Sequence, residues 1–387
     1  MAAPTEAARA TRRAPRSVPR GPVPLYLTSF LLVGLALGIL GPALSELRER
    51  SGAGIGGSGV VFVGQSSGYV IGAVIAGRLY DRFTGHRVFA GALVLLAAGF
   101  ALVPSLDSVA AWFVAFVLVG IGASTSDVGS NTMLIWELRE KVGRSMNALH
   151  LCFGIGALAA PLFVYAGLEL TMRLAALACL CLAAWALSVP SPTAPRVARE
   201  TQGEPTTGLL ALLALFFVLY VGLEIGYVGW IFTYGEEVQF SELAATWLTS
   251  CFWISFTFGR LLSSLLANRL RPTLVLVGAC TLSLVAAAVL LVGDGRTPWV
   301  WTATAMMGFA TAPQFPVMFT YLESRIRLSG RATSWFVCAA GIGGLVFPWL
   351  VGRWIDASGA VALPLAMLVI GSAVFAAFGA SNRRLGG

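Results

Sequence analysis

The chain has 387 residues, of which 57% are hydrophobic and only 11% are charged. Soluble domains carry about 25% charged residues, so this composition excludes a soluble globular protein and predicts that lipid surrounds most of the chain. The formal charge of +8 comes from basic residues in short loops between apolar runs. Membrane proteins retain Lys and Arg in cytoplasmic loops in this way, and we therefore expect a lipid bilayer and no nucleic acid as a partner.

Twelve apolar runs follow one another along the chain, and a helix needs about 20 such residues to cross the hydrocarbon core. They cover residues 25–45, 58–77, 88–106, 109–134, 145–167, 171–189, 208–233, 243–267, 273–292, 298–321, 332–352 and 360–380. The longest polar interruption among them, residues 190–207, separates two sets of six. The sequence therefore predicts an all-α integral membrane protein with twelve transmembrane helices.

The same pattern predicts five parts and an orientation. The parts are a disordered basic tail (1–24), an N-terminal six-helix bundle (25–189), a linker (190–207), a C-terminal six-helix bundle (208–380) and a short tail (381–387). If the N-terminus is cytoplasmic, the inner segments hold 21 Lys and Arg residues, Arg260 among them, and the outer segments hold five. Because cytoplasmic loops carry the excess of basic residues, we expect both termini and the linker in the cytoplasm and a multi-pass protein in the plasma membrane.

The two halves resemble each other in an ordered series of short motifs at offsets of 182 to 188 residues. The matching pairs are Val33–Gly38 with Val221–Gly226, Gly77–Leu79 with Gly259–Leu261, Glu137–Arg139 with Glu323–Arg325, Gly143–Arg144 with Gly330–Arg331, Gly154–Gly156 with Gly341–Gly343, and Pro161 with Pro348. Many transporters are built from two such repeats and hold their solute near the midplane between them. The repeat therefore predicts a transporter in which one half rocks against the other.

The segment Gly77-Arg-Leu-Tyr-Asp-Arg-Phe-Thr-Gly-His-Arg87 separates the second and third predicted spans. It resembles the signature of the major facilitator superfamily, Gly-x-Leu-x-Asp-Arg-x-Gly-Arg-Arg, with one extra residue and one histidine as departures. The resemblance implies that Asp81 and Arg82, together with Gly77 and Arg78, belong to a charge network that clasps the cytoplasmic ends of the two halves. An ordinary charged turn is the alternative interpretation. The second copy of the motif lacks the acid.

Only two of the 18 acidic residues lie well inside predicted spans, Asp127 in the fourth and Glu224 in the seventh. A charged group at mid-bilayer costs about 2.5–3.5 kcal/mol on insertion scales, so such residues normally face a cavity or a partner. Neither acid has an acidic counterpart in the other half, so the repeated scaffold does not require them. We predict that both bind the solute or a coupling ion, H⁺ or Na⁺; a hydrogen bond that packs neighbouring helices is the alternative.

Polar and aromatic side chains accompany the two acids. Asn131 lies four residues after Asp127, on the same face of the helix. Carboxyl and amide groups can bind sugar hydroxyls, and rings can cover the C–H face of a sugar. For Gln65, Gln314, His150 and Trp335, core packing is an equal alternative. The further candidate contacts are Tyr220, Tyr227 and Trp230 around Glu224, Asn147 and His150 in the fifth span, Gln65 in the second, Gln314 in the tenth and Trp335 in the eleventh.

Four segments carry a closer resemblance: Phe217–Tyr234, Asn147–Ala157, Ala312–Pro316 and Arg331–Trp335. They resemble the seventh, fifth, tenth and eleventh helices of the sodium-dependent glucose transporter branch, which is related to the fucose:proton symporters. Asp127 and Asn131 resemble the fourth-helix Glu and Asn of those symporters, whose first-helix Asp has no counterpart here. The resemblance implies a monomeric symporter of a hexose-type sugar driven by H⁺ or Na⁺, without a cofactor.

Three other functions compete with sugar symport. A drug:proton antiporter of the same superfamily would also use an apolar cavity with one or two acids. A membrane sensor would normally need a soluble output domain, for which the tail and linker are too short. An intramembrane enzyme would need a motif such as a His-x-x-x-His metal pair, and the two histidines, His86 and His150, do not form one. No metal site is expected either, because the chain has only two histidines and its six cysteines all lie in apolar runs.

Overall fold

The computed structural model describes residues 21–193, 207–266, 269–323, 325 and 330–386, and within these ranges it contains helices and no β-strand. The first half of the chain forms α1 (Val23–Gly38), α2 (Leu40–Ser51), α3 (Ile55–Ser58), α4 (Val60–Arg82), α5 (Gly85–Leu102), α6 (Val109–Leu138), α7 (Val142–Ala166) and α8 (Leu168–Ser188). The second half forms α9 (Thr207–Glu237), α10 (Glu242–Leu266), α11 (Pro272–Gly293), α12 (Thr297–Thr311), α13 (Gln314–Glu323), α14 (Gly330–Ser358) and α15 (Ala362–Gly386). Most of the predicted tail 1–24 and linker 190–207 lies outside the described residues.

Helices occupy all twelve predicted spans in the predicted order. Nine spans of the described residues are long and apolar enough to cross a membrane, and the bent pair α1–α2 makes a tenth candidate. The other two predicted spans, 243–267 and 298–321, are formed by α10 and by the pair α12–α13. The predicted all-α membrane fold is therefore confirmed.

Proline residues decide where two of the spans break. Proline has no N–H to donate, and its ring clashes with the carbonyl group four residues earlier in a helix. Pro42 places this clash at Gly38, where α1 ends, and α1 and α2 meet at an angle of 47°. Pro313 separates α12 from α13 in the same way. By contrast, Pro161 and Pro348, which correspond in the repeat, lie inside α7 and α14 without ending them.

The sequence repeat is also a repeat of helix contacts. A Cβ atom on Gly156 of α7 would lie 1.9 Å from the carbonyl oxygen of Leu31 in α1. A Cβ atom on Gly343 of α14 would lie 2.0 Å from the carbonyl oxygen of Val218 in α9. Both residues of the second pair follow those of the first by 187 positions. Small residues let membrane helices approach closely, so each half uses a glycine at the same place to bring two helices together.

We expect Gly156→Ala and Gly343→Ala each to lower the free energy of unfolding by about 1–3 kcal/mol, as overpacking does. The added methyl group would push against the backbone of the facing helix, which cannot move without separating the two helices. Thermal unfolding of the detergent-solubilised protein measures the effect. Gly278→Ala is the control, because a Cβ atom at this exposed glycine of α11 meets no atom within 4 Å. Equal midpoints for all three variants would contradict these close contacts.

The helices of each half pack mainly on one another, and a few pairs join the halves. The principal joining pairs are α4 with α14, α7 with α10, α2 with α9, and α3 with α14. The end of the bundle that holds residues 48–56 is called the closed end below, and the end that holds residues 77–87 is called the signature end.

Candidate functional site

Asp127 is held by α4 and by its own helix α6. Tyr69 of α4 donates a hydrogen bond to one carboxyl oxygen, and Asn131 Nδ2 donates to the other at 2.8 Å. Tyr69 can reach Asp127 because α4 and α6 pack closely: a Cβ atom on Gly68 or Gly120 would lie 2.2 or 2.1 Å from a carbonyl oxygen of the facing helix. Both carboxyl oxygens therefore accept hydrogen bonds from the protein, which fixes the orientation of the group.

Glu224 lies in α9 of the other half and is only 9% exposed. Tyr220, one turn earlier on the same helix, donates a hydrogen bond to its Oε2 atom. Tyr220 is itself buried, and its ring stacks on Phe216 and lies 6.0 Å from Phe315. The predicted neighbour Tyr220 is thus a hydrogen-bond partner that orients the carboxyl group.

Arg260 of α10 supplies a positive charge to both acids. Its guanidinium group is near enough to the carboxyl groups of Asp127 and Glu224 to act on both electrostatically, and on the hydroxyl group of Tyr220. Among the described residues it forms no ion pair of 4 Å or less with either acid. It also lies 4.6 Å from the centroid of the Phe256 ring, a distance at which an aromatic face attracts a cation. One acid from each half therefore shares one arginine, and Asp127, Glu224 and Arg260 are called the charged cluster below.

The assignment of Arg260 to the cytoplasmic loops was wrong. The residue lies more than a turn before the end of α10 and is half-buried, because the two carboxyl groups attract it into the interior. Its match to the signature motif indicated a loop, yet it lay inside the predicted span 243–267. The rule that singled out the two acids, that an intramembrane charge has a partner, would also have found Arg260. Without Arg260, the inner segments of the predicted topology hold twenty basic residues and the outer segments five.

One face of α10 carries polar atoms without a protein partner. Trp253 Nε1, Thr257 Oγ1 and Arg260 Nε are buried, and none has a hydrogen-bond partner among the described residues. Residues spaced by three and four share a face of a helix, and this face packs towards α7, where the ring of Phe153 lies 6.0 Å from that of Trp253. Since buried polar groups are normally hydrogen-bonded, this α10 polar face has capacity for the hydroxyl groups of a solute.

Comparison with known proteins identifies the family. The model of the family described as Major Facilitator Superfamily matches residues 26–348, most of the chain. The chain belongs to the major facilitator superfamily. The signature resemblance at residues 77–87 is explained by this membership, and the protein is a membrane transporter rather than a member of an enzyme family.

Two relatives within the superfamily match this protein over most of its length. It is 27% identical over 370 residues to sodium-dependent glucose transporter 1A of Mus musculus, a match that covers 84% of this chain and 87% of the relative. It is 26% identical over 376 residues to sodium-dependent glucose transporter 1 of Homo sapiens, covering 85% and 72%. The predicted resemblance to that branch is thereby confirmed. A bacterial homologue of the human lysosomal transporter Spinster, in an inward-facing and occupied conformation, shares the fold, with a TM-score of 0.77, 12% identity and coverage of 93% of this chain and 96% of that one.

Four predicted solute contacts of the transporter bind other parts of the protein. Gln65, Gln314, Tyr227 and Trp230 are all buried, and none is hydrogen-bonded to the charged cluster. Each holds two helices or two parts of a span together. Gln65 donates to the carbonyl group of Ala36 (2.8 Å), and Gln314 donates to Ser283 Oγ (3.0 Å). The Tyr227 hydroxyl group is hydrogen-bonded to Thr304 Oγ1 (2.9 Å), and Trp230 donates to the carbonyl group of Pro348 (2.7 Å).

Three further predicted contacts are exposed. His150 of α7 packs edge-on against the ring of Phe30 at 5.5 Å and interacts electrostatically with Arg260. Asn147 lies one turn earlier on α7 and is exposed, and Trp335 of α14 is 63% exposed. The structure therefore brings His150 near the charged cluster, whereas Asn147 and Trp335 lie on the surface of the protein.

The signature residues lie on a helix rather than in a loop. The second span was expected to end at 77, but α4 continues to Arg82, because its polar last turns extend beyond the apolar run. Gly77, Arg78, Asp81 and Arg82 are all exposed. Within the described ranges, no ion pair involves Asp81 or Arg82. Among the described residues, these charges therefore do not link the two halves.

At the opposite, closed end, the two halves meet directly. Arg48 Nη2 of α2 lies 2.9 Å from Glu236 Oε2 of α9. The ring of Phe62 in α4 lies 5.6 Å from that of Trp230 in α9. A Cβ atom on Gly41 would lie 2.9 Å from a carbonyl oxygen of α9. An ion pair, an aromatic pair and a close backbone contact therefore seal this end of the transporter.

Proposed function

We propose that this transporter carries a hexose-type sugar together with a monovalent cation, H⁺ or Na⁺. The observation that supports this proposal most directly is the charged cluster, in which one carboxyl group from each half shares Arg260. A link between the halves that depends on charge is what a coupling ion needs in order to influence their movement. We assign Asp127 and Glu224 to cation binding, and Tyr69, Tyr220 and Asn131 to the orientation of their carboxyl groups.

The charge balance of the cluster explains why one cation would bind. Two ionised carboxyl groups and one guanidinium group leave one negative charge uncompensated. An unpaired charge in a poorly solvated interior is unfavourable unless a partner neutralises it. A single proton on either carboxyl group, or one sodium ion between them, would make the cluster neutral. The cluster would then be neutral only when loaded, which is the condition for moving a cation and a sugar together.

The α10 polar face is the proposed sugar site. Trp253, Thr257 and Arg260 offer donors to hydroxyl groups, and the rings of Phe252, Trp253 and Phe256 lie 5.4–5.9 Å apart and can cover the apolar face of a sugar. His150, beside Arg260, is a further candidate contact. The relatives named sodium-dependent glucose transporters support glucose as the first sugar to test.

The halves 25–189 and 208–380 are proposed to rock as two units of a monomer. The excess of Lys and Arg in the predicted inner segments, to which residues 77–87 belong, favours a cytoplasmic signature end and cytoplasmic termini in the plasma membrane. The closed end would then face outward, and the structure would correspond to an inward-facing state. In the outward-facing state, the Arg48–Glu236 pair would separate and the charges at Asp81 and Arg82 would approach the other half.

The experiment is uptake of radiolabelled glucose into liposomes that contain the purified protein, under an imposed inward gradient of Na⁺ or of protons. We expect accumulation under one of the two gradients and only equilibration without a gradient. Trp253→Phe keeps the ring and removes one donor of the α10 polar face, so we expect it to raise the KM for glucose about tenfold without abolishing accumulation.

Two outcomes would overturn this proposal. Glucose that never exceeds its external concentration under either gradient would contradict symport. Export of a cationic drug against a proton gradient by the same liposomes, without sugar uptake, would establish the antiporter interpretation instead.

A further inference from the structure

A groove of 510 Å³ lies at the signature end, between α4 and α5, with α6 as its floor. The groove exists because α4 and α5 each pack on α6 rather than on each other. Its volume falls within the range of about 300–1,000 Å³ that is typical of ligand pockets. Aliphatic side chains form its walls, including Ile75, Leu79 and Leu95, and Ile121 lies on its floor.

The groove opens to the outside of the bundle rather than towards the charged cluster. Ile75 on its wall is 41% exposed and Phe83 at its loop is 60% exposed. Large apolar side chains on the outside of a membrane protein face lipid, since lipid tails are as apolar as these side chains. The apolar part of the groove is therefore suited to an acyl chain.

Two arginines stand where the groove meets the loop between α4 and α5. Arg82 ends α4, Arg87 lies in the first turn of α5, and both line the groove and are exposed. Neither forms an ion pair within the described part of the chain, and the neighbouring Asp81 does not line the groove. Arginine binds phosphate with two parallel hydrogen bonds, and the N-terminus of α5 adds a partial positive charge beside them.

We propose that this groove binds an anionic phospholipid, with the phosphate between Arg82 and Arg87 and one acyl chain along the aliphatic walls. Basic residues at a membrane surface attract anionic lipids, and basic pockets between transmembrane helices bind their headgroups. The site is separate from the charged cluster, so it does not depend on the identity of the solute or of the coupling ion.

Native mass spectrometry of the purified full-length chain tests the proposal with phosphatidylglycerol and phosphatidylcholine of the same acyl chains. We expect phosphatidylglycerol to bind at least about tenfold more tightly, and Arg82→Gln/Arg87→Gln to weaken it roughly 30-fold. Gly91→Leu keeps both arginines and fills the groove, because Gly91 lines it and a Cβ atom there meets no atom within 4 Å. We expect this variant also to weaken binding at least about tenfold.

The matched control is Arg144→Gln/Arg271→Gln, which removes two exposed charges from the signature end outside the groove. This variant should bind phosphatidylglycerol like the unmodified protein. The proposal is overturned if the control weakens binding as much as the groove variants do, or if Gly91→Leu leaves binding unchanged. It is also overturned if glycerol phosphate, the headgroup without acyl chains, displaces the lipid at equal concentration.

Discussion

Asp127→Asn is expected to abolish the accumulation of glucose while leaving the protein folded. Asn has nearly the shape of Asp, so it can still accept a hydrogen bond from Tyr69 and lie beside Asn131. It carries no negative charge, so it takes up no proton under transport conditions and attracts a sodium ion much less strongly than the carboxylate does. The remaining Glu224–Arg260 pair would be neutral without a cation, so sugar and cation would no longer need to move together.

The measurement is the ratio of internal to external glucose at steady state in liposomes. With one cation per sugar and a tenfold cation gradient, the ratio should fall from about ten to about one in the variant. Asp107→Asn is the matched control, because the same chemical change is made at a side chain that is 79% exposed. Accumulation by Asp127→Asn equal to that of the control would remove Asp127 from the coupling mechanism.

Arg260→Gln is expected to impair both stability and transport. Without the guanidinium group, the two carboxyl groups in the interior face each other with no positive charge, and one donor of the α10 polar face is lost. Removal of one partner from a buried ion pair costs about 3–5 kcal/mol. We expect a smaller loss, about 1–3 kcal/mol, because Arg260 is half-buried and forms no ion pair of 4 Å or less with either carboxyl group among the described residues. Thermal unfolding in detergent and glucose uptake in liposomes measure the two effects.

Two further variants separate charge balance from simple loss of packing. Arg260→Gln/Glu224→Gln restores the single uncompensated charge of the unmodified cluster, so it should unfold at a higher temperature than Arg260→Gln alone. Arg173→Gln removes an arginine that is 66% exposed and lies 2.5 Å from Glu169; exposed pairs contribute about 0–1 kcal/mol, so its midpoint should change little. A double variant that is less stable than Arg260→Gln would contradict the shared-charge arrangement.

The fold could be predicted from the sequence because an apolar run of about 20 residues crosses a lipid bilayer as a helix, which satisfies its own backbone hydrogen bonds. All twelve runs became helices, and the glycines of the repeat make equivalent contacts in the two halves. Helix ends were less predictable, since α4 and α15 continue into polar residues as far as Arg82 and Gly386. Breaks at Pro42 and Pro313 were missed because hydropathy does not register the loss of a backbone donor.

The candidate site could be predicted only in part. The spacing of Asp127 with Asn131 and of Tyr220 with Glu224 follows from helical periodicity, and both pairs are hydrogen-bonded. The partners Tyr69 and Arg260 come from other helices. Their contacts depend on how closely α4 approaches α6 and on which face α10 turns to the other half. A single sequence does not contain that information, and the loop-like motif around Arg260 pointed elsewhere.

The most direct test of the central claim is cation movement driven by sugar alone. Liposomes containing the protein, with equal Na⁺ and pH on both sides, would be exposed to an inward glucose gradient while internal pH and radioactive sodium are followed. The account predicts that glucose drives one of the two cations inward in a fixed ratio to sugar, and that Asp127→Asn abolishes the cation flux. Glucose entry through the unmodified protein with neither cation moving would contradict it.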